Sequence, residues 1–155
     1  MSVYEGKRDD SALKFKWNAQ QLVDEVFKFL TTKQIPKAWR FLLSVQTAET
    51  ARSIEDNIGR AERFSPTTSA GVLKRKEYYT LAIADCDQVL RDLRRMKAMG
   101  AQLNKNTVEK LEAMAEEEIR LLAGVRKATK LRGDPNIEDM IADAEAELER
   151  LRCLL

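Results

Sequence analysis

Five stretches of this chain repeat apolar residues every three or four positions, the spacing that lines one face of an α-helix. In the first, about 11–32, the residues expected to face inward are Leu13, Trp17, Val23, Val26, Phe27 and Leu30. The second, 36–64, offers Trp39, Leu42, Val45, Ala48, Ala51, Ile54 (or Glu55) and Ile58. A long third stretch, 70–99, carries Tyr79, Ile83, Cys86, Leu90, Leu93 and Met96, and a fourth, 105–131, carries Val108, Leu111, Ala115, Leu122 and Val125. The last, 134–155, sets Ile137, Ile141, Ala144, Leu148, Leu151 and Leu155 four and three residues apart in turn, which is a short heptad seam. Alternating β-branched runs and Asn-Gly turns, the marks of strands and hairpins, are absent from the sequence.

Start and stop signals fit these limits. Asp9, Asp10 and Ser11 offer cap oxygens to the first helix, and Pro36 suits the first turn of the second, where its missing N–H costs nothing. Thr67, Thr68 or Ser69 can cap the third helix and Asn104 the fourth. Gly100 and Gly133 are natural stops, because glycine enters the left-handed region without penalty, and Asp134-Pro135 opens the last helix. Short connections favour antiparallel neighbours. The expected fold is all-α: an up-down antiparallel four-helix bundle over 1–133, with an additional acidic, amphipathic C-terminal helix over 134–155.

Charge changes the picture more than composition does. The chain holds 27 Lys and Arg against 25 Asp and Glu, a net charge of +2. Residues 1–133 hold 25 against 18, a balance of +7, and residues 134–155 hold 2 against 7, a balance of −5. A basic body suits a polyanionic partner, and an acidic tail can moderate the attraction. On a wheel of 100° per residue, Arg91, Arg94 and Arg95 fall within about 100° of one another, opposite the core seam of the third helix. Lys74, Arg75 and Lys76 lie near the start of that helix, and Arg126, Lys127 and Lys130 near the end of the fourth, followed by Arg132. Two readings stand: solubilising charges, partly paired (Asp87 with Arg91), or a phosphate-binding surface with little sequence preference. The last helix also has two readings. It docks on its own bundle, or its seam of Ile137, Ile141, Leu148 and Leu151 packs against a neighbouring subunit.

The chain contains no histidine, which removes Ser-His-Asp and Cys-His catalysis, Glu-x-x-His di-iron sites and histidine zinc sites. Glu116-Glu117-Glu118 fans around its helix and reads as a solvated face, while Gly59, Gly71 and Gly124 are isolated and form no phosphate loop. No catalytic residue, metal site or cofactor is expected. Met1–Asp10 lacks the apolar core of a secretion signal, no apolar run approaches the roughly 20 residues that span a bilayer, and Cys86 and Cys153 share no close spacing. A reducing cytoplasm, without membrane contact, is the expected location.

Across residues 12–131 the chain resembles the bacterial four-helix-bundle proteins encoded in 23S ribosomal RNA intervening sequences. It is most similar to their Avd-like branch, the accessory variability determinants of diversity-generating retroelements. The residues that carry the resemblance are Ile35-Pro36-Lys37 with Arg40, Thr50-Ala51-Arg52-Ser53-Ile54, Asn57-Ile58 and Ala61. Leu90 and Leu93, Gly100-Ala101-Gln102-Leu103, Ile119-Arg120-Leu121-Leu122-Ala123-Gly124, Lys127 and Lys130 follow. The resemblance implies a non-enzymatic protein assembled as a homopentameric ring or barrel. In the Avd-like branch it implies a basic surface for RNA or DNA and a partner reverse transcriptase engaged in mutagenic cDNA synthesis. In the intervening-sequence relatives it implies a less defined role with RNA association. The helix after Asp134 departs from the family pattern, which ends near residue 131.

Overall fold

The computed structural model describes residues 10–100, 102–133 and 137–155. Among these, the chain forms five α-helices and no strand: α1 Asp10–Leu30, α2 Val45–Arg63, α3 Ser69–Ala98, α4 Lys105–Ala128 and α5 Ile137–Arg152. Side-chain contacts between neighbours fix their directions. Lys16 of α1 pairs with Glu62 of α2. Thr47 and Asn57 of α2 reach Asp92 and Asp85 of α3, so partner numbers fall as α2 advances. Lys97 meets Glu112 while Arg126 reaches back to Thr80, and Lys14 and Lys110 bridge α1 and α4 through Glu117 and Glu25. Each of α1–α4 is therefore antiparallel to its two neighbours, and α4 closes the bundle against α1. The expected all-α bundle is observed.

Caps act where the residue types allow. Thr68 accepts a hydrogen bond from Gly71 N at 3.0 Å, and Asn104 Oδ1 accepts from Thr107 N at 3.2 Å. Gly100, with φ +84°, ends α3 as expected. Gly71 is fixed by space, because a Cβ there would lie 2.1 Å from the Ser65 carbonyl oxygen. The fourth helix corrects the expected stop at Gly133. It ends at Ala128, the buried Thr129 turns extended, and Arg132 N donates to Pro66 O at 2.8 Å, a tertiary bond that draws the chain off the helix axis. The caps expected from Asp9 and from Asp134-Pro135, and Ala101 of the family pattern, lie outside the described residues.

The second helix also starts differently. Lys37–Trp39 form a 3-10 turn and Arg40–Ser44 a wide π turn before α2 begins. Leu42, 66% exposed, and Val45 point outward, while Leu43, Ser44 and Thr47 turn in. The expected stripe ran in steps of three, and each such step rotates about 60° backward from its face, so its early members leave the core. In α1, Leu13, Trp17 (64% exposed) and Phe27 lie outside, and the core takes Phe15, Ala19, Leu22 and Phe29 beside Val23, Val26 and Leu30. This helix carries two apolar stripes, and packing selects the one with aromatic residues at both ends. The α3 and α4 stripes are buried or packed against the core as expected.

Glu118 corrects the reading of the acidic triplet. Glu116 is exposed and Glu117 is bound by Lys14 and Arg120, but Glu118 is wholly buried (0% exposed) between Ala115 and Leu122 on the core stripe. Asn18 Nδ2 donates to Glu118 Oε2 at 2.7 Å, and Oε1 has no hydrogen-bond partner among the described residues. Burial pushes the carboxyl up to about 7, against the Asn18 bond that favours its charged form, and the neighbouring Glu117 adds to the rise.

Candidate nucleic-acid interface

Antiparallel packing gathers the start of α1, the end of α2, the start of α3 and the end of α4 at one end of the bundle. Each brings cations there. The expected residues Lys74, Arg75 and Lys76 lie at the same end as Arg126, Lys127 and Lys130, and Lys16, Arg60, Arg63 and Arg132 lie there too. Arg126 Nη1 donates to Thr80 Oγ1 at 3.1 Å, tying the α4 cluster one turn from Lys76. Glu62 binds Lys16 and Glu77 binds Lys74. Lys76, Lys127, Lys130 and Arg132 have no acidic partner among the described residues.

Arg75 is turned inward. Its Nη1 donates to Phe64 O at 3.1 Å, where the carbonyl end of α2 favours a cation, and its guanidinium carbon lies 5.9 Å from the centre of the Tyr79 ring. Phe15 meets Tyr79 edge-on and Tyr78 stacks on Phe64, so aromatic packing fixes the floor of this end. A cavity of about 350 Å³ opens there, with Lys16, Arg75, Lys130 and Arg132 on its walls.

Arg91, Arg94 and Arg95 do not join this group. They are exposed on the outer face of α3, roughly 22 to 28 Å along the helix from Lys76 at 1.5 Å per residue. Arg91 donates to Gln88 Oε1 at 3.1 and 2.9 Å instead of meeting the expected Asp87. Gln88 in turn donates to Asp92, itself bound to Thr47, so part of this stretch braces the α2–α3 contact.

The last helix touches the bundle with its polar face. Asp143 Oδ2 accepts from Ala70 N at 3.3 Å, at the positive end of α3. Asp143, Glu147 and Arg150 line a cleft shared with Lys74 and Glu77. The heptad seam lies about 130° around α5 from that face, at 100° per residue. Ile137, Ile141, Leu148 and Leu151 are 48–73% exposed. The helix thus meets its own bundle through Asp143, one of the two expectations, but does so with its seam left exposed. A second apolar surface opens between the end of α1 and the π turn, where Phe27, Leu30, Arg40, Val45 and Ala48 line a cleft beside the exposed Phe41.

What this arrangement can do is bind phosphates: many unpaired donors on several elements, backed by fixed aromatic rings. Among the described residues, no three His, Cys, Asp or Glu side chains gather as a metal-binding group, and no helix is long and apolar enough to cross a membrane. Lys16 and Tyr79 could not be read from the sequence as neighbours of the Arg126–Arg132 cluster, because nothing local says which helix ends adjoin.

No protein-family model matches this chain, and no curated protein does. Among solved structures there is a likeness to a protein of unknown function from Bacteroides thetaiotaomicron, described as belonging to the S23 ribosomal protein family. The two folds align with a TM-score of 0.62 at 18% identity, over 76% of this chain and 98% of the other. The chain shares the fold of an S23-family protein. At this identity the likeness establishes the helical fold, and about a quarter of the present chain extends beyond the part the two share.

Proposed function

We propose that this protein is a non-enzymatic, nucleic-acid-binding accessory factor that grips phosphate backbones with the basic end of its bundle. The observation that carries the reading is the convergence of Lys76 from α3, Arg126 and Lys127 from α4, and Lys130 from the segment just after it onto one end, without acidic partners among the described residues. Contacts of this kind hold the backbone and leave the bases unread. Arg91, Arg94 and Arg95 extend the basic surface along the side of α3 as a secondary contact. The Avd-like resemblance of the sequence supports a reverse transcriptase as the protein partner, in a diversity-generating retroelement, and a homopentamer as the assembly. The apolar cleft beside Phe27 and Val45 gives such an assembly a surface to cover.

The test is retention of a single-stranded RNA by the full chain, followed by anisotropy across salt. Affinity should fall by about 300-fold or more between roughly 50 and 200 mM salt if six or more phosphates of a single strand are contacted. An affinity that ignores salt would overturn the reading.

A second reading rests on the exposed seam of α5: a structural or protein-interaction bundle that assembles through Ile137, Ile141, Leu148 and Leu151. On this reading, removal of 134–155 lowers the oligomeric mass seen in light scattering. An unchanged mass would remove the seam from the assembly.

A further inference from the structure

The cavity at the basic end has the features of a built anion site. Four cationic side chains line it, Lys16 from α1, Arg75 from α3, and Lys130 and Arg132 from the extended segment after α4. A single carboxylate, Glu62, faces them and is held by Lys16. Its 350 Å³ falls at the lower end of small-ligand cavities, roughly 300–1,000 Å³. Phe15, Pro66 and Val125 supply apolar wall, so the crowded cations repel one another more than they would in open water.

Tyr79 adds an independent sign. It lines the same cavity, is wholly buried, and its hydroxyl has no hydrogen-bond partner among the described residues. A buried donor without an acceptor is costly and uncommon in native proteins. One of the donors is also held in advance. Arg75 is fixed by Phe64 O and the Tyr79 ring, and the backbone of Arg132 by Pro66 O. A ligand would have less ordering to impose at Arg75 than at the exposed Lys130 and Arg132 side chains.

We infer that this cavity binds a phosphate monoester, and that its source is the terminal phosphate of a nucleic-acid strand. The charge fits. A monoester carries close to two negative charges near neutrality, whereas a diester within a strand carries one, and the cavity presents three more cations than anions. Arginine at two of the four positions suits the forked recognition of phosphate oxygens. The identity of the source rests on the nucleic-acid reading above; the monoester chemistry does not.

The experiment uses the full chain and three probes: adenosine monophosphate, and one single-stranded RNA with either a 5′-phosphate or a 5′-hydroxyl. The phosphorylated strand is expected to bind about tenfold more tightly, the size of one good charged contact. In Arg132→Gln the ratio of the two affinities should collapse toward one. Tyr79→Phe keeps the ring and its packing while removing the hydroxyl, and should lower the ratio severalfold. Equal affinities for the two strands, with no binding of the mononucleotide, would overturn this inference and leave backbone binding intact. Mononucleotide binding that Arg132→Gln abolishes, with neither RNA retained, would keep the monoester site, overturn the strand end as its source and reject the nucleic-acid reading.

Discussion

The basic end of the bundle and the arginine stretch of α3 carry the same sign of charge on different shapes. At the end, cations from α1, α3 and α4 converge on a concave surface floored by Tyr79. Along α3, Arg91, Arg94 and Arg95 project from one helix, and Arg91 is already engaged by Gln88. Donors that converge on one concave surface can share the phosphates of a single strand, whereas side chains on a single outward face must each be immobilised for one contact. Charge alone therefore does not rank the two regions. Convergence does.

Three experiments can break or sharpen that ranking. The largest effect is expected from charge reversal: Arg126→Glu with Lys127→Glu and Lys130→Glu should weaken RNA binding by about 100-fold or more near 100 mM salt. The same reversal of Arg91, Arg94 and Arg95 should cost roughly tenfold or less. Equal losses in anisotropy titrations, at unchanged helicity, would erase the distinction.

A smaller effect is expected from α5. Its Asp143 and Glu147 lie against the start of α3 beside Lys74. Removing 134–155 takes away a balance of −5 from the neighbourhood of the basic end. RNA affinity should then rise by about three- to tenfold, more at low salt than at high. A gain that salt does not diminish would mean that α5 acts by covering the surface and not by its charge.

The smallest effect separates charge from fold. Below Glu118's folded value of about 7 and above its ordinary 4.5, the native state keeps a proton that the unfolded chain has released. Stability is therefore lost as pH rises through this window. The Tm should fall by about 5 °C between pH 5 and 8, and Glu118→Gln, which leaves an acceptor for Asn18, should flatten that slope. Neither basic region should bind RNA differently in this variant. A Tm that rises with pH in the native chain would contradict the buried, protonated carboxyl.

These experiments depend on features that were unevenly visible in the sequence. The stripes of α3 and α4 could be read directly, because Cys86, Leu90, Leu93 and Met96, like Val108, Leu111 and Ala115, leave one apolar face and no rival. Thr68, Asn104 and Gly100 act locally, so their caps were legible too. The face of α1 was not, since Leu13 and Trp17 compete with Phe15 and Ala19 at the same spacing and only packing decides. Glu118 was hidden by its neighbours' charge. Its position between Ala115 and Leu122 was the available signal, as three consecutive residues sweep about 200° of a helix and one of them had to turn inward. The basic clusters of α3 and α4 were each visible, but their meeting at one end with Lys16 and Arg132 is a product of chain reversal.

The cleft between the end of α1 and the π turn has a thermodynamic corollary. Phe27, Phe41, Leu42 and Val45 remain wet in the single chain, and any self-association that covers them links folding to mass action. The free energy of unfolding then grows with the logarithm of protomer concentration, and the melting temperature becomes a property of the sample as well as of the sequence.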